Sequence, residues 1–177
     1  MKQKVSDYIA DRLAQEGISQ VFTVTGGGAM HLNDSLGHHP GLSCLYHHHE
    51  QAAAMAAEAY ARVDNRMAAV CVTSGPGATN AITGALCAWM DSIPMLVLSG
   101  QVRYDTTVRH SGLKIRTMGV QEYDITPSVE PMTKYAVMVT DPLTIRYHLE
   151  RAIYLAKTGR PGPCWLDLPL NVQSAIV

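Results

Sequence analysis

Apolar and polar positions along this 177-residue chain follow two rhythms that keep exchanging places. Val5, Ile9 and Leu13 recur at helical spacing and Gly17 is placed for a left-handed stop, which predicts an amphipathic helix over 3–16. A short apolar run over 20–24 then reads as a strand. Beyond it the pattern predicts a helix from about Ala29, a strand over 42–46, a helix over 50–63, a strand over 67–73, a helix over 77–90 and a strand over 94–99. Strands separated by helices need crossover connections of fixed hand, and these build a parallel sheet covered on both faces. The expected fold class is α/β, a doubly wound parallel sheet.

After Gln101 the regularity lapses. Residues 103–112 are polar and read as an extended loop, a short helix is expected near Gln121, and a strand follows over 134–139. Asp141 and Pro142 supply an N-cap and a first-turn proline for a helix reaching Lys157, with Gly159 as its stop and a last strand over 164–168. No internal repeat, low-complexity tract or linker interrupts the chain, so residues 1–177 read as one domain.

Candidate chemistry gathers where strands end. Glu50 stands where the strand-like run 42–46 gives way to an alanine-rich helix, which places a carboxylate at the sheet edge where open parallel sheets bind ligands. Taken alone it also fits a helix N-terminal carboxylate stabilised by the dipole, worth about 0.3–1 kcal/mol. The turn Ser74-Gly75-Pro76-Gly77-Ala78-Thr79-Asn80 puts glycines where backbone must approach a partner closely. Its spacing is neither GxGxxG nor GxxxxGK[ST], which argues against a nucleotide cradle. Gly26-Gly27-Gly28 follows the first strand, and either an αL turn or a loop lining a ligand satisfies it. His47, His48 and His49 invite a metal reading, but neighbours on an extended segment face opposite ways and do not converge on one ion. No metal ligand is assigned.

Tyr46-His47-His48-His49-Glu50-Gln51-Ala52-Ala53, the string Val70 to Asn80 and the segments Trp89-Met90-Asp91-Ser92-Ile93-Pro94 and Leu96-Val97-Leu98-Ser99-Gly100-Gln101 resemble, in order, the amino-terminal pyrimidine-binding domain of thiamine-diphosphate enzymes of the acetolactate synthase-like branch. That resemblance implies the thiamine-diphosphate-binding fold and a catalytic Glu50 hydrogen-bonded to N1′ of the cofactor's aminopyrimidine. It also implies cofactor contacts from Pro76, Asn80, Gly26 and Gly27, and an active-site role for Gln121. The implied reaction decarboxylates a 2-oxo acid such as pyruvate and ligates the resulting enamine to a second carbonyl. Mg2+ and the diphosphate would belong to a domain absent from this chain, and FAD to an absent middle domain. The chain reads as the first of several domains, an excised or truncated piece.

Departures from the family pattern are local. Val24-Thr25-Gly26-Gly27 stands where a Tyr-Pro-Gly-Gly is usual, Val120 replaces a phenylalanine, and the stretch between Gln101 and Gln121 is longer, which points to an acceptor bulkier than pyruvate. A simple 2-oxo-acid decarboxylase of the same superfamily and a non-catalytic binding or assembly module stay open as alternatives.

Composition narrows the partners. A formal net charge of −1, with charged residues scattered singly, gives no basic patch for nucleic acid or an anionic membrane. The 4 cysteines lie in apolar runs without CxxC spacing, as expected of buried free thiols, and no signal peptide or membrane span is recognisable, which together suggest a cytoplasmic protein. The apolar bias of Ala78, Ile82, Ala85, Leu86 and Trp89 exceeds what one helix face needs against a sheet, and suggests a homodimer.

Overall fold

The computed structural model describes residues 2–64 and 66–177. Its 6 strands form one parallel sheet in the order β2-β1-β3-β4-β6-β5, with β1 at Gln20–Thr23, β2 at Ser43–Tyr46, β3 at Ala68–Val72, β4 at Met95–Gln101, β5 at Tyr135–Met138 and β6 at Pro163–Pro169. The α/β class expected from the alternation is the one observed. β3, β4 and β6 are buried along their whole length, which is why they read as continuous apolar runs rather than alternating ones.

Period-2 geometry sorts those strands' side chains onto two cores. Ala69, Cys71, Leu96, Leu98 and Leu166 pack with helices α1 (Val5–Gln15), α2 (Met30–His38) and α8 (Ile145–Lys157) on one face. Val70, Val72, Met95, Val97 and Trp165 pack on the other with α3 (Glu50–Asp64), α4 (Pro76–Asn80), α5 (Ile82–Met90) and α7 (Thr126–Val129). Small residues let α3 and α5 come close: a Cβ at Gly84 would fall 2.5 Å from Ala54 Cβ. The alanine-rich α3 thus presents a flat face.

Several expectations need correction. The helix expected over 77–90 is divided at Ala81, whose N–H bonds back only three residues to Ala78. Residues 103–112 are not an extended loop: a 3-10 turn over Tyr104–Thr106 leads into α6 (Val108–Ser111), capped by the Thr107 hydroxyl and closed by Gly112 in the left-handed region. No helix forms at Gln121, which sits in a turn at φ 56°; helix resumes only at Thr126, whose N–H is accepted by Asp124. A further helix, α9 (Leu170–Gln173), follows β6. Asp141 does accept the Leu143 N–H, but the first turn it caps is 3-10. Cys71 and Cys164 are buried, with thiols pushed up to about 12 by desolvation, while Cys44 and Cys87 are only partly buried.

Candidate active site

In this strand order β1 is flanked by β2 on one side and β3 on the other, so the chain leaves it in opposite directions and a crevice opens beyond the carboxyl ends of β1 and β3. Three loops meet there. The loop after β1 carries Gly26, Gly27 and Gly28; the one after β3 carries Thr73, Ser74 and Gly75; the one after β2 ends at Glu50, the first residue of α3.

Backbone contact locks the first two loops together. Gly26 lies so close to Thr73 that a Cβ would fall 2.4 Å from Thr73 Cβ, and the Gly28 N–H donates to Thr73 Oγ1 at 3.0 Å. Gly28 in turn faces Gly100, where a Cβ would fall 2.1 Å from the Gly28 carbonyl oxygen, and that oxygen accepts from Gln173 Nε2 at 2.7 Å. Gly27 behaves differently: nothing lies within 4 Å of its missing Cβ, so its open face is available to a ligand.

Glu50 is half-buried against this platform. Asn80, on α4, donates its amide to Glu50 Oε2 at 2.9 Å, joining the two helices that flank the crevice. Oε1 lies 3.3 Å from where a Gly77 Cβ would sit and accepts no hydrogen bond among the described residues. One carboxyl oxygen is therefore fixed and the other is free to exchange a hydrogen bond with a ligand. His49 Nδ1 accepts the Gln51 N–H at 3.2 Å and so satisfies a donor of the first turn of α3. His47 packs on Phe22 with ring centroids 5.9 Å apart, and His48 is exposed. The three histidines have separate surroundings.

Gln121 and Pro76 share a different part of the edge. They line an open depression of about 290 Å³ with Gly75, Thr79, Glu122 and Tyr123. Gly75 holds φ 54° and ψ −116°, and a Cβ there would lie 2.2 Å from the Gln121 carbonyl oxygen, so only glycine permits this turn to seat against the Gln121 backbone. Glu50, Asn80, Gly26 and Gly27 thus gather around the crevice, and Gln121 and Pro76 around the adjoining depression. Sequence reasoning gave Thr73 no role and marked Gly77 only as one of the close-approach glycines of the 74–80 turn. A glycine in the first turn of an otherwise alanine-rich helical pattern is the signal that marks Gly77.

Residues 3–123 match the family model described as "Thiamine pyrophosphate enzyme, N-terminal TPP binding domain". The chain belongs to that family. Among its relatives are the acetolactate synthase large subunit of Lactococcus lactis subsp. lactis (strain IL1403), 37% identical over 96% of this chain and 28% of that protein, and the acetolactate synthase isozyme 3 large subunit of Escherichia coli (strain K12), 38% identical over 94% of this chain and 28% of that protein. A plant protein, acetolactate synthase 1, chloroplastic, of Oryza sativa subsp. japonica, is 34% identical over 97% of this chain and 25% of its own length. The chain spans 28% or less of the length of these relatives. As a thiamine pyrophosphate enzyme domain, it places the Glu50–Asn80 pair at the sheet edge where its fold class binds ligands.

Gly77→Ala tests whether packing or propensity governs this edge. Helix propensity alone would stabilise α4 by up to about 1 kcal/mol. A Cβ 2.7 Å from Thr73 Cγ2 instead forces Thr73 to move, and overpacking of this kind costs about 1–3 kcal/mol. Urea unfolding should show a net loss of stability, whereas a stabilised variant would contradict the packing described.

Proposed function

We propose that this chain forms the aminopyrimidine half of a thiamine diphosphate site in an acetolactate synthase-like enzyme, one that decarboxylates a 2-oxo acid, pyruvate or a near relative, and joins the product to a second carbonyl. The observation that carries the reading is the half-buried Glu50 carboxyl, with Oε2 held by Asn80 and Oε1 left for a ligand. Membership of the thiamine pyrophosphate enzyme family supports the same cofactor. When bound, thiamine diphosphate supplies the nucleophilic carbon for decarboxylation and carbon–carbon bond formation.

In this reading the protein's own groups orient and protonate. Glu50 Oε1 exchanges a proton with the aminopyrimidine N1′, and the Asn80 amide fixes the plane of the carboxyl so that the exchange has one geometry. Gly27 leaves room for a flat ring beside the backbone. Pro76 and Gln121 border the depression in which the 2-oxo acid or its acceptor would lie. Among the described residues no group of three His, Cys, Asp or Glu is placed to hold a metal ion. Mg2+ and the diphosphate, and FAD if the enzyme carries it, are assigned to domains outside residues 1–177.

An active site made from two half-sites also calls for an interface. Met55 on α3 and Leu86, Trp89 and Met90 on α5 remain 38–56% exposed on the paired helices, and they are the surface proposed to pair in a homodimer. Sedimentation of the full-length enzyme showing a strict monomer would refute that pairing without touching the role of Glu50. Among the described residues no helix is long and apolar enough to cross a membrane, and a cytoplasmic location is proposed on the free thiols.

Glu50→Gln in the full-length enzyme tests the chemistry. The amide keeps the shape and an acceptor oxygen but has no proton to exchange at N1′. Deuterium exchange at C2 of the bound cofactor should slow by at least the ~10²-fold typical of general acid–base catalysis. Exchange and turnover at the unsubstituted rate would exclude Glu50 from the mechanism.

A further inference from the structure

Gln121 is held in a conformation that its own backbone does not favour. A φ of 56° at a residue with a side chain is uncommon and needs outside support. Part of that support is nearby: Glu122 accepts the N–H groups of Val108 at 2.6 Å, Met118 at 2.9 Å and Gly119 at 3.0 Å, gathering the 108–119 excursion around itself. The rest comes from the core of the sheet. Gln101, the last residue of β4, is buried and donates through Nε2 to the Tyr123 carbonyl oxygen at 2.7 Å and to Asp167 Oδ2 at 3.1 Å, while its Oε1 accepts the Val102 N–H at 3.0 Å. Both amide hydrogens are used.

Behind Gln101 runs a thread of buried polar groups. Asp167 on β6 accepts the Ser99 hydroxyl at Oδ1 over 2.6 Å, and Ser99 Oγ accepts the Trp165 indole N–H over 2.8 Å. The Asp167 carboxyl is pushed up to about 7, chiefly by desolvation and also by Asp124, against the lowering effects of the Ser99 and Gln101 hydrogen bonds and of Arg109. Asp124 and Arg109 are themselves paired at 3.2 Å. Nothing in the chemistry assigned to Glu50 uses this thread.

We propose that Gln101, oriented by Asp167, is a positioning residue that fixes the Gln121 turn against Gly75 at the mouth of the depression. The inference rests on the thiamine-enzyme reading only for the statement that Gln121 meets substrate; the mechanical coupling stands apart from it. The ionised form of Asp167 is the one that holds the turn. An ionised carboxyl is acceptor-only and takes both the Ser99 hydroxyl and a Gln101 amide hydrogen, leaving the other amide hydrogen for Tyr123. A protonated carboxyl either donates from Oδ1 to Ser99 Oγ, which has a lone pair beside the Trp165 N–H, and keeps only a neutral bond from Gln101, or carries its hydrogen on Oδ2 and displaces the Gln101 amide. Either way the charge-assisted bond that orients Gln101 is weakened. The turn is therefore held more firmly at pH 8 than at pH 6.

Heteronuclear NMR of this chain between pH 5.5 and 8.5 tests the coupling directly. The indole N–H of Trp165, one of only 2 tryptophans, should shift with a midpoint near 7 as Asp167 ionises, and the backbone amides of 121–124 should follow it with the same midpoint. In Gln101→Met, which keeps the bulk and removes the amide, the indole should still titrate while the turn amides stay flat. In Asp167→Asn both should be flat. Turn amides that do not titrate in the unsubstituted chain, or that titrate unchanged in Gln101→Met, would overturn the proposal. In the full-length enzyme, Gln101→Met should raise KM for the 2-oxo acid by about tenfold, the equivalent of one buried hydrogen bond, with kcat less affected. NMR coupling with an unaltered KM upholds the positioning and removes Gln121 from substrate contact.

Discussion

The hydrogen bond from Asn80 to Glu50 Oε2 is the contact around which the carboxyl edge of the sheet is organised. It joins the start of α3, which follows the edge strand β2, to α4, which follows the central strand β3. A carboxylate at a helix start gains from the dipole and would otherwise be free to rotate into water. The Asn80 amide removes that freedom, and Gly77 removes the side chain that would crowd the remaining oxygen. Orientation is what the proposed chemistry needs, because an acid and a ring nitrogen exchange a proton efficiently only at hydrogen-bond distance and angle.

That pair can be rigid only because its platform is. The loops beyond β1 and β3, the end of β4 and the Gln121 turn meet at glycines: Gly26 on the Thr73 side chain, Gly100 on the Gly28 backbone, Gly75 on the Gln121 carbonyl. Each contact is shorter than a Cβ would allow, so a larger residue at any of them displaces a neighbour rather than filling space. The buried sheet beneath contributes a second kind of rigidity, a fully used hydrogen-bond thread from Trp165 through Ser99 and Asp167 to Gln101. Polar groups in such surroundings are costly when unpaired, and the thread leaves none of its hydrogens idle.

Much of this edge was legible in the sequence. Alternating rhythms gave the parallel sheet, and the abrupt change from apolar run to alanine-rich helix placed Glu50. The glycines and proline of residues 74–80 stood out because they contradict the helix propensity around them. The stretch 103–124 departs from its local pattern for a physical reason, while the strands and helix expected beyond it are observed. Turns in that stretch are held by side-chain to backbone bonds such as Glu122 to Val108, 14 residues apart, which no local periodicity records. Asp167 escaped notice because it lies inside an apolar strand, and its partner Ser99 is 68 residues away and becomes a neighbour only through the β4–β6 pairing.

The central claim is that these residues offer one half of a cofactor site, the pyrimidine side, and leave the diphosphate and its metal to another domain. Calorimetric titration of thiamine diphosphate into this chain, with and without magnesium, tests it most directly. Charge-assisted contacts worth about 1.5–3 kcal/mol each are absent in the half-site account, so binding should be no tighter than roughly millimolar and indifferent to magnesium. A tight, magnesium-dependent isotherm would show that the chain contains a complete cofactor site and would contradict the account.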